Sequence, residues 1–307
     1  MRASVTGSTR AFMVVALALV VPETGWTQAV SGAGMGPLDR AGLLAAFNDA
    51  QYFWQQTDVA RRLAALGDRS VLPAIEPYLA TNDRRRRSNA AFILAALGDE
   101  RGIDILIGEL EDTSADRAVD ERSWQAQATS DRYFAALLLG ELRAKAAVPA
   151  LSRATRDPTI NYQAAYALGN IGDASATAAL RAMVADFPDQ RLWAAYALAA
   201  FGQRDAFTIL EEESAGNPMW TNRRHAVELL GKIGNPLAIP ILAKSLRDEH
   251  PNVRVSAARA LGQIGDPAAL PALQQALSDH EVTQVNAPAT AAAEAQKAIE
   301  AIRRSRP

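Results

Sequence analysis

Apolar residues recur along most of this 307-residue chain at a spacing that predicts paired helices. The most regular copy runs from Arg254 to Leu277. In it, Ala257, Ala258 and Leu261 fall on one face of a helix that ends near Gly265. A second short apolar helix follows the turn. The pattern therefore predicts a unit of helix, turn and helix.

This unit occurs seven times, and one turn residue in each copy sets the register. The turn residues are Gly67, Gly98, Arg143, Gly172, Gly202, Gly234 and Gly265, with spacings of 31, 45, 29, 30, 32 and 31 residues. Four residues before them stand Leu63, Leu94, Leu139, Leu168, Leu198, Leu230 and Leu261, and eight residues after them Ile75, Leu106, Leu151, Leu180, Leu210, Leu242 and Leu273. Glycine supplies the left-handed conformation that ends a helix. These two sets of apolar residues are called the apolar columns below. Since one helix pair cannot bury its apolar face alone, the apolar columns predict an all-α superhelical solenoid of about seven repeats with capping helices, over residues 39–304.

The stretch Arg254 to Leu277 resembles the HEAT-like repeat of the phycobilin-lyase type, and the resemblance covers roughly residues 40–304. It implies a right-handed superhelix. Repeats of this class occur in scaffolds, lyase subunits and hydroxylases, so the fold alone does not determine the function. Deoxyhypusine hydroxylase is built from similar repeats, and its iron ligands are His-Glu steps near the start of several first helices. The corresponding steps here are Ser88-Asn89, Tyr133-Phe134, Tyr162-Gln163, Leu192-Trp193, Arg224-His225 and Val255-Ser256, which predict no di-iron site.

The N-terminus differs in kind from the repeats. Arg2 and Arg10 precede an apolar run at 11–21, and small residues follow at Thr27 and Ala29. This order is typical of a secretory signal peptide, and the run is shorter than the roughly 20 residues of a membrane-spanning helix. We expect a signal peptide at 1–29, a flexible leader at 30–38, no membrane span after cleavage, and a periplasmic or secreted protein. With no cysteine, a lipoprotein anchor and thiolate chemistry are excluded.

Charge and motifs give no sign of catalysis. The net charge is −2, from 32 basic and 34 acidic residues, which argues against nucleic-acid binding. Three histidines are present, without a phosphate loop, a nucleophile elbow or a zinc-protease motif. Gly169-x-x-Gly172 and Gly262-x-x-Gly265 are interpreted as turn glycines. We therefore expect no catalytic residue, no metal and no cofactor.

An insertion and a group of aromatic residues interrupt the regular pattern. About fourteen extra residues lie in a predicted loop at 111–131, which contains Trp124. Insertions in repeat arrays often form binding loops, but Trp124 could instead fold back onto the array.

The aromatic residues cluster in the fourth to sixth copies. Tyr166 and Tyr196 occupy the position that Arg259 has in the most regular copy, and Tyr162 and Trp193 lie one turn earlier, while Trp220 precedes the next first helix. One interpretation is an exposed patch that binds a partner. The other is that the rings fill space between helices.

Arginines form two further patterns. Arg84 to Arg87 lie at the start of a predicted helix. They could bind an anion or an acidic partner, but the simpler interpretation is a solvated helix face. A second set recurs eleven residues before the turn residue, and we expect its members to pair with aspartates in neighbouring turns. The set is Arg87, Arg132, Arg191, Arg223 and Arg254.

The sequence thus predicts an exported, non-catalytic scaffold that binds an unidentified protein or peptide on the solenoid surface. The alternative is an accessory or catalytic subunit of a lyase or hydroxylase built on the same repeats. The candidate partner-binding residues are Tyr162, Tyr166, Trp193, Tyr196, Trp220 and Trp124.

Overall fold

The structure is a computed structural model that describes residues 39–50, 52–113, 121–283 and 288–305, with backbone alone at 53, 54 and 121–130. These residues contain sixteen α-helices and no strand, within the compact unit Leu38–Pro307. The predicted all-α class is confirmed. The predicted signal peptide at 1–29 and leader at 30–38 lie outside the described residues.

A capping helix α1 (Arg40–Asp49) precedes seven helix pairs. The first helices of the pairs are α2 (Phe53–Ala65), α4 (Arg84–Ala96), α6 (Glu121–Glu141), α8 (Asn161–Ile171), α10 (Arg191–Ala200), α12 (Trp220–Ile233) and α14 (Pro251–Ile264). The second helices are α3 (Leu72–Ile75), α5 (Arg101–Glu111), α7 (Val148–Ala154), α9 (Thr177–Asp186), α11 (Ala206–Gly216), α13 (Ile239–Ser245) and α15 (Leu270–Ala276). Helix α16 (Ala291–Arg304) packs on α14 and α15 and closes the C-terminal end.

Both apolar columns lie in the core. All fourteen residues that define them are at most 3% exposed. Successive first helices pack on one another, so each repeat covers the apolar face of its neighbour. The solenoid of stacked pairs is therefore confirmed.

Backbone angles confirm the register of the seven copies. The six turn glycines have φ between +65° and +82°, and the turn residue of the third copy, Arg143, has φ +50°. Arg143 is the one non-glycine residue with positive φ in the described part of the chain. A side chain in this conformation crowds the backbone, so the third turn is strained where the others are not.

Other glycines allow the first helices to approach closely. A Cβ on Gly169 would lie 2.5 Å from Cε1 of Tyr196 in α10, and one on Gly262 would lie 2.9 Å from Cβ of Ala298 in α16. The interpretation of Gly169 and Gly262 as turn glycines was therefore wrong. They lie inside helices, and their missing side chains make room for the next first helix at Gly169 and for the closing helix α16 at Gly262.

The recurring arginines tie successive loops together. In α12, Arg223 donates to the carboxylate of Asp248 at 2.8 Å and to the carbonyl oxygen of Asn217 at 2.9 Å. In α14, Arg254 repeats the pattern with Asp279 at 2.6 Å and the carbonyl oxygen of Asp248 at 2.9 Å. The other members pair as Arg87–Glu109, Arg132–Asp157 and Arg191–Glu213. The predicted structural role is confirmed, but the predicted partners were wrong in part. Each arginine pairs with a carboxylate near the end of its own repeat, and for Arg87 and Arg191 that carboxylate is a glutamate of the second helix.

The run of four arginines at the start of α4 is neither solvated nor an open anion site. Arg84 to Arg87 bind, in order, the carboxylates of Asp112 and Asp131, the carbonyl oxygen of Ala50 and the carboxylate of Glu109. Burial raises the pKa of Glu109 and Asp131, and the guanidinium groups partly offset that effect. The prediction of a solvated face was wrong because these cations compensate buried carboxylates.

The predicted insertion loop is partly helical. Helix α6 begins at Glu121 and contains 21 residues, whereas the other first helices contain 10 to 14. Residues 121–131 lack glycine and proline and include glutamate, arginine, glutamine and alanine, which favour helix. The helix therefore continues upstream through half of the predicted loop, and 114–120 lie outside the described residues.

Candidate functional site

Four rings form a continuous line across four successive first helices. They are Tyr133 in α6, Tyr162 in α8, Trp193 in α10 and His225 in α12, and are called the aromatic row below. Consecutive ring centroids are 5.8, 6.0 and 6.2 Å apart, at interplanar angles of 55°, 46° and 46°. Each residue stands nine or ten positions before its turn residue. Tyr133, Tyr162 and Trp193 are half-buried, so part of each ring meets solvent.

Beneath the row, Tyr166 and Tyr196 belong to the core. Their rings stack at 5.4 Å, and they are 9% and 3% exposed. Tyr196 donates its hydroxyl to Oδ1 of Asn170 at 2.8 Å, and Tyr166 meets Trp193 edge-on at 5.7 Å. The prediction that Tyr166 and Tyr196 belong to an exposed patch was wrong. The close approach of α8 and α10 at Gly169 closes these rings off from solvent.

Trp220 lies apart from the row. Its ring stacks on His250 at 4.0 Å and 5°, in the loop before the next first helix, and Arg224 lies 5.8 Å from its centre. The side chain of Trp124 lies outside the described residues. Of the six predicted partner-binding residues, Tyr162 and Trp193 thus share the row, with Tyr166 and Tyr196 beneath it.

Tyr133 and His225 complete the row although the sequence did not single them out as candidates. The available signal was their offset from the turn residue, which matches that of Tyr162 and Trp193.

Charged side chains adjoin the His225 end of the row. Nη2 of Arg224 lies 3.4 Å from Nε2 of His225, and Nε of Arg224 lies 3.7 Å from Glu228, which accepts a hydrogen bond from Ser256 at 3.1 Å. Burial, aided by the Arg224 charge, lowers the pKa of His225 to about 4. Burial raises the pKa of Glu228. A neutral imidazole and a carboxyl that holds its proton more tightly are groups used in general acid–base chemistry.

Phenols at the other end of the row stay neutral over the usual pH range. Burial, followed by the neighbouring Tyr162 and Tyr166, raises the pKa of Tyr133, and burial likewise raises the pKa of Tyr162. The row therefore offers ring faces and hydroxyl groups rather than phenolate charge at that end.

The face that carries the row is concave in its central part. Nζ of Lys232 in α12 donates to the hydroxyl of Tyr166 in α8 at 2.6 Å, across the intervening α10. Side chains from helices two repeats apart can meet only if those helices lean toward each other on that side. An extended concave surface is the usual binding surface of a solenoid.

The described residues lack two features that a functional site can have. They contain no group of three histidine, aspartate or glutamate side chains arranged to hold a metal ion. They also contain no helix that is long and apolar enough to span a bilayer.

The sequence matches the HEAT repeat family at residues 124–199 and 210–294, and the PBS lyase HEAT-like repeat at residues 86–112 and 190–213. The HEAT repeat match alone covers more than half of the chain. The protein belongs to the HEAT repeat family, as the sequence predicted.

Comparisons with individual proteins point to enzymes. Deoxyhypusine hydroxylase-B of Oryza sativa subsp. japonica is 37% identical over 114 residues, which are 36% of this chain and 36% of that protein. The solved complex of CpcE and CpcF of phycocyanin lyase from Nostoc sp. PCC7120 contains a chain with the same fold. The identity is 21% and the TM-score 0.52, over 88% of this chain and 97% of that one. Human deoxyhypusine hydroxylase in complex with glycerol gives 21% identity and a TM-score of 0.35, over 86% of this chain and 96% of that one.

The curated relative contradicts the prediction that the protein has no enzymatic function. It is named as a hydroxylase. The prediction relied on missing motifs, and a missing His-Glu step tests one kind of metal chemistry only. Among enzyme subunits, an accessory role requires no such motif. Since the match to deoxyhypusine hydroxylase-B spans 36% of its length, its activity is not carried over to this chain.

Proposed function

We propose that this protein is an accessory or catalytic subunit of a lyase- or hydroxylase-type enzyme, and that it binds a protein substrate or partner subunit on the aromatic row. The observation that carries the proposal is the continuous line of rings from Tyr133 to His225 on a concave face. Aromatic side chains are the commonest anchors of protein interfaces. The names of the relatives support an enzymatic setting, and the CpcE–CpcF complex supports work with a second protein.

The chemistry at the end of the row is consistent with either role. In a catalytic subunit, the imidazole of His225 lies beside a substrate bound on Trp193, with the carboxyl of Glu228 on the same helix. In an accessory subunit, the same row holds the substrate while a partner supplies the reacting groups.

Affinity capture followed by mass measurement tests the proposal. The protein is used as bait on native cell fractions, and the captured proteins are compared by intact mass between cells with and without the gene. A hydroxylase adds the mass of one oxygen atom to its target, and a lyase adds or removes a larger group. We expect such a gene-dependent mass change in a captured protein.

Paired variants show whether the row is the surface responsible. The Tyr162→Ser, Trp193→Ser double variant is expected to lose capture, and Trp220→Ser is the matched control because Trp220 is also half-buried but lies outside the row. Circular dichroism checks that all variants remain helical. Identical target masses in both strains would refute the enzymatic role, and undiminished capture by the double variant would refute the role of the row.

We also propose that the protein acts outside the cytoplasm. The support is the basic start, the apolar run at 11–21 and the small residues Thr27 and Ala29.

A further inference from the structure

Two polar contacts span the concave face between helices two repeats apart, and their positions correspond. Arg61 in α2 donates to Glu141 in α6, across α4, with two hydrogen bonds of 3.0 and 2.6 Å. Lys232 in α12 donates to Tyr166 in α8, across α10, and its Nζ lies 4.5 Å from the centre of the ring. In each contact, one partner stands six residues before its turn residue and the other stands two residues before its own. The first contact joins opposite charges, whereas the second joins a cation to a neutral phenol.

Lys232 is consequently the uncompensated charge on this part of the face. The other described cations at the corresponding first-helix positions have carboxylate partners. These pairs are Arg61–Glu141 and Arg259–Glu294. An ammonium group has three donors, and a carboxylate is a stronger acceptor than a phenol hydroxyl. A carboxylate that reached Lys232 would therefore displace Tyr166 as its partner.

A single ring, that of Tyr166, lies between the aromatic row and the ammonium group of Lys232. Tyr166, which holds Lys232, meets Trp193 of the row at 5.7 Å. The three centroid steps give the row a length on the order of 18 Å, which matches about five residues of extended chain. Such a segment would place side chains over Tyr162 and Trp193 and another beside Lys232.

We propose that the aromatic row and Lys232 form one binding site for an extended peptide segment with aromatic and acidic side chains, in which an acidic side chain pairs with Lys232. The proposal deepens the proposed function, because the segment would belong to the enzyme's protein substrate or partner. Lys232 then determines specificity by charge, and the row provides most of the contact area.

Fluorescence anisotropy with two labelled pentapeptides tests this assignment. One probe alternates phenylalanine with glutamate, and the other has lysine in place of each glutamate. We expect the native protein to bind the acidic probe about tenfold more tightly, because the pair forms at a partly shielded position. Lys232→Ala should abolish this preference, Lys232→Glu should reverse it, and Lys232→Arg should retain it.

Lys244→Ala is the matched control, since Lys244 lies on second helix α13 and pairs with Glu211. It should leave both affinities unchanged. The proposal is overturned if neither probe binds, if Lys232→Ala keeps the preference, or if Lys244→Ala abolishes it. Failure of this proposal can be distinguished from failure of the proposed enzymatic role. The first is measured by peptide affinity, and the second by a gene-dependent change in the mass of a target protein.

Discussion

Arg143 is the turn residue at which the repeat is most strained, and replacing it with glycine should stabilise the protein. Its φ of +50° lies in the left-handed region, which the other six turns fill with glycine. The hydrogen bonds of this turn match those of a glycine turn. Ala144 donates to the carbonyl oxygen of Leu139 at 3.1 Å, as Gln203 does to Leu198 at 3.0 Å. Arg143→Gly can therefore relieve the strain without rebuilding the turn.

The expected gain follows from two opposing contributions. A residue with a Cβ in the left-handed region costs roughly 1–2 kcal/mol, which glycine avoids. Glycine also increases the conformational entropy of the unfolded chain, which offsets about 0.4–1 kcal/mol of that gain. The free energy of unfolding should therefore rise by about 1 kcal/mol. Arg143 is exposed and has no ion pair among the described side chains, so little binding energy is lost.

Two further variants separate the backbone effect from the loss of the side chain. Arg143→Ala removes the guanidinium but keeps the Cβ, and should change stability by only a few tenths of a kcal/mol, since surface changes rarely do more. Gly172→Ala places a Cβ where no atom lies within 4 Å, so it should destabilise by about 1 kcal/mol through the backbone alone. Urea unfolding followed by circular dichroism measures all three. If Arg143→Gly stabilised no more than Arg143→Ala, relief of backbone strain would not be the cause.

The remaining predictions concern the core, pH and the N-terminus. Leu230→Ala or Leu261→Ala should each cost roughly 2–5 kcal/mol of unfolding free energy in urea titrations, because both side chains are fully buried; a near-zero change would mean that the apolar column is misassigned. With its pKa lowered to about 4, His225 binds fewer protons in the folded than in the unfolded protein between pH 4 and about 6.5. The contribution of His225 to the free energy of unfolding should be full above pH 6.5 and fall as the pH drops toward 4. Plots of unfolding free energy against pH for the native protein and for His225→Gln should therefore converge between pH 6.5 and 4. Parallel plots would contradict the burial of His225. Edman sequencing of the exported protein should begin at Val30; an intact Met1 would refute cleavage after Ala29.

Features that repeat within one copy could be predicted from the sequence. The leucine columns and the turn residues each recur at a fixed offset, so seven copies tested every assignment, and Arg143 was placed correctly although it is not a glycine. The pairing of Arg223 and Arg254 with loop aspartates followed from the same recurrence. Such contacts depend on geometry inside one repeat, which the sequence period encodes directly.

Contacts between repeats were predicted less well, as the burial of Tyr166 and Tyr196 shows. Whether a ring on one first helix is exposed depends on how closely the next one approaches. That distance is set by Gly169, whose Cβ would collide with Tyr196. The signal was present in the sequence as a glycine three residues before the turn residue, but it was interpreted as part of the turn. Only the packing of α8 on α10 distinguishes the two roles.

The link between Lys232 and Tyr166 depends on curvature, which is still less visible in the sequence. The two residues are 66 positions apart, and their contact requires α8 and α12 to lean together over α10. Curvature sums the small rotations of successive repeats, so a modest change at one junction moves helices two repeats away. Both spanning contacts cross a helix with alanine three residues before its turn residue, Ala95 in α4 and Ala199 in α10. Alanine keeps the next first helix farther away than glycine would, and α4 on α6 and α10 on α12 pack less closely than the first helices joined at glycine. The contact between Lys232 and Tyr166 therefore crosses a junction at which two first helices are loosely packed, and no sequence period marks such a contact.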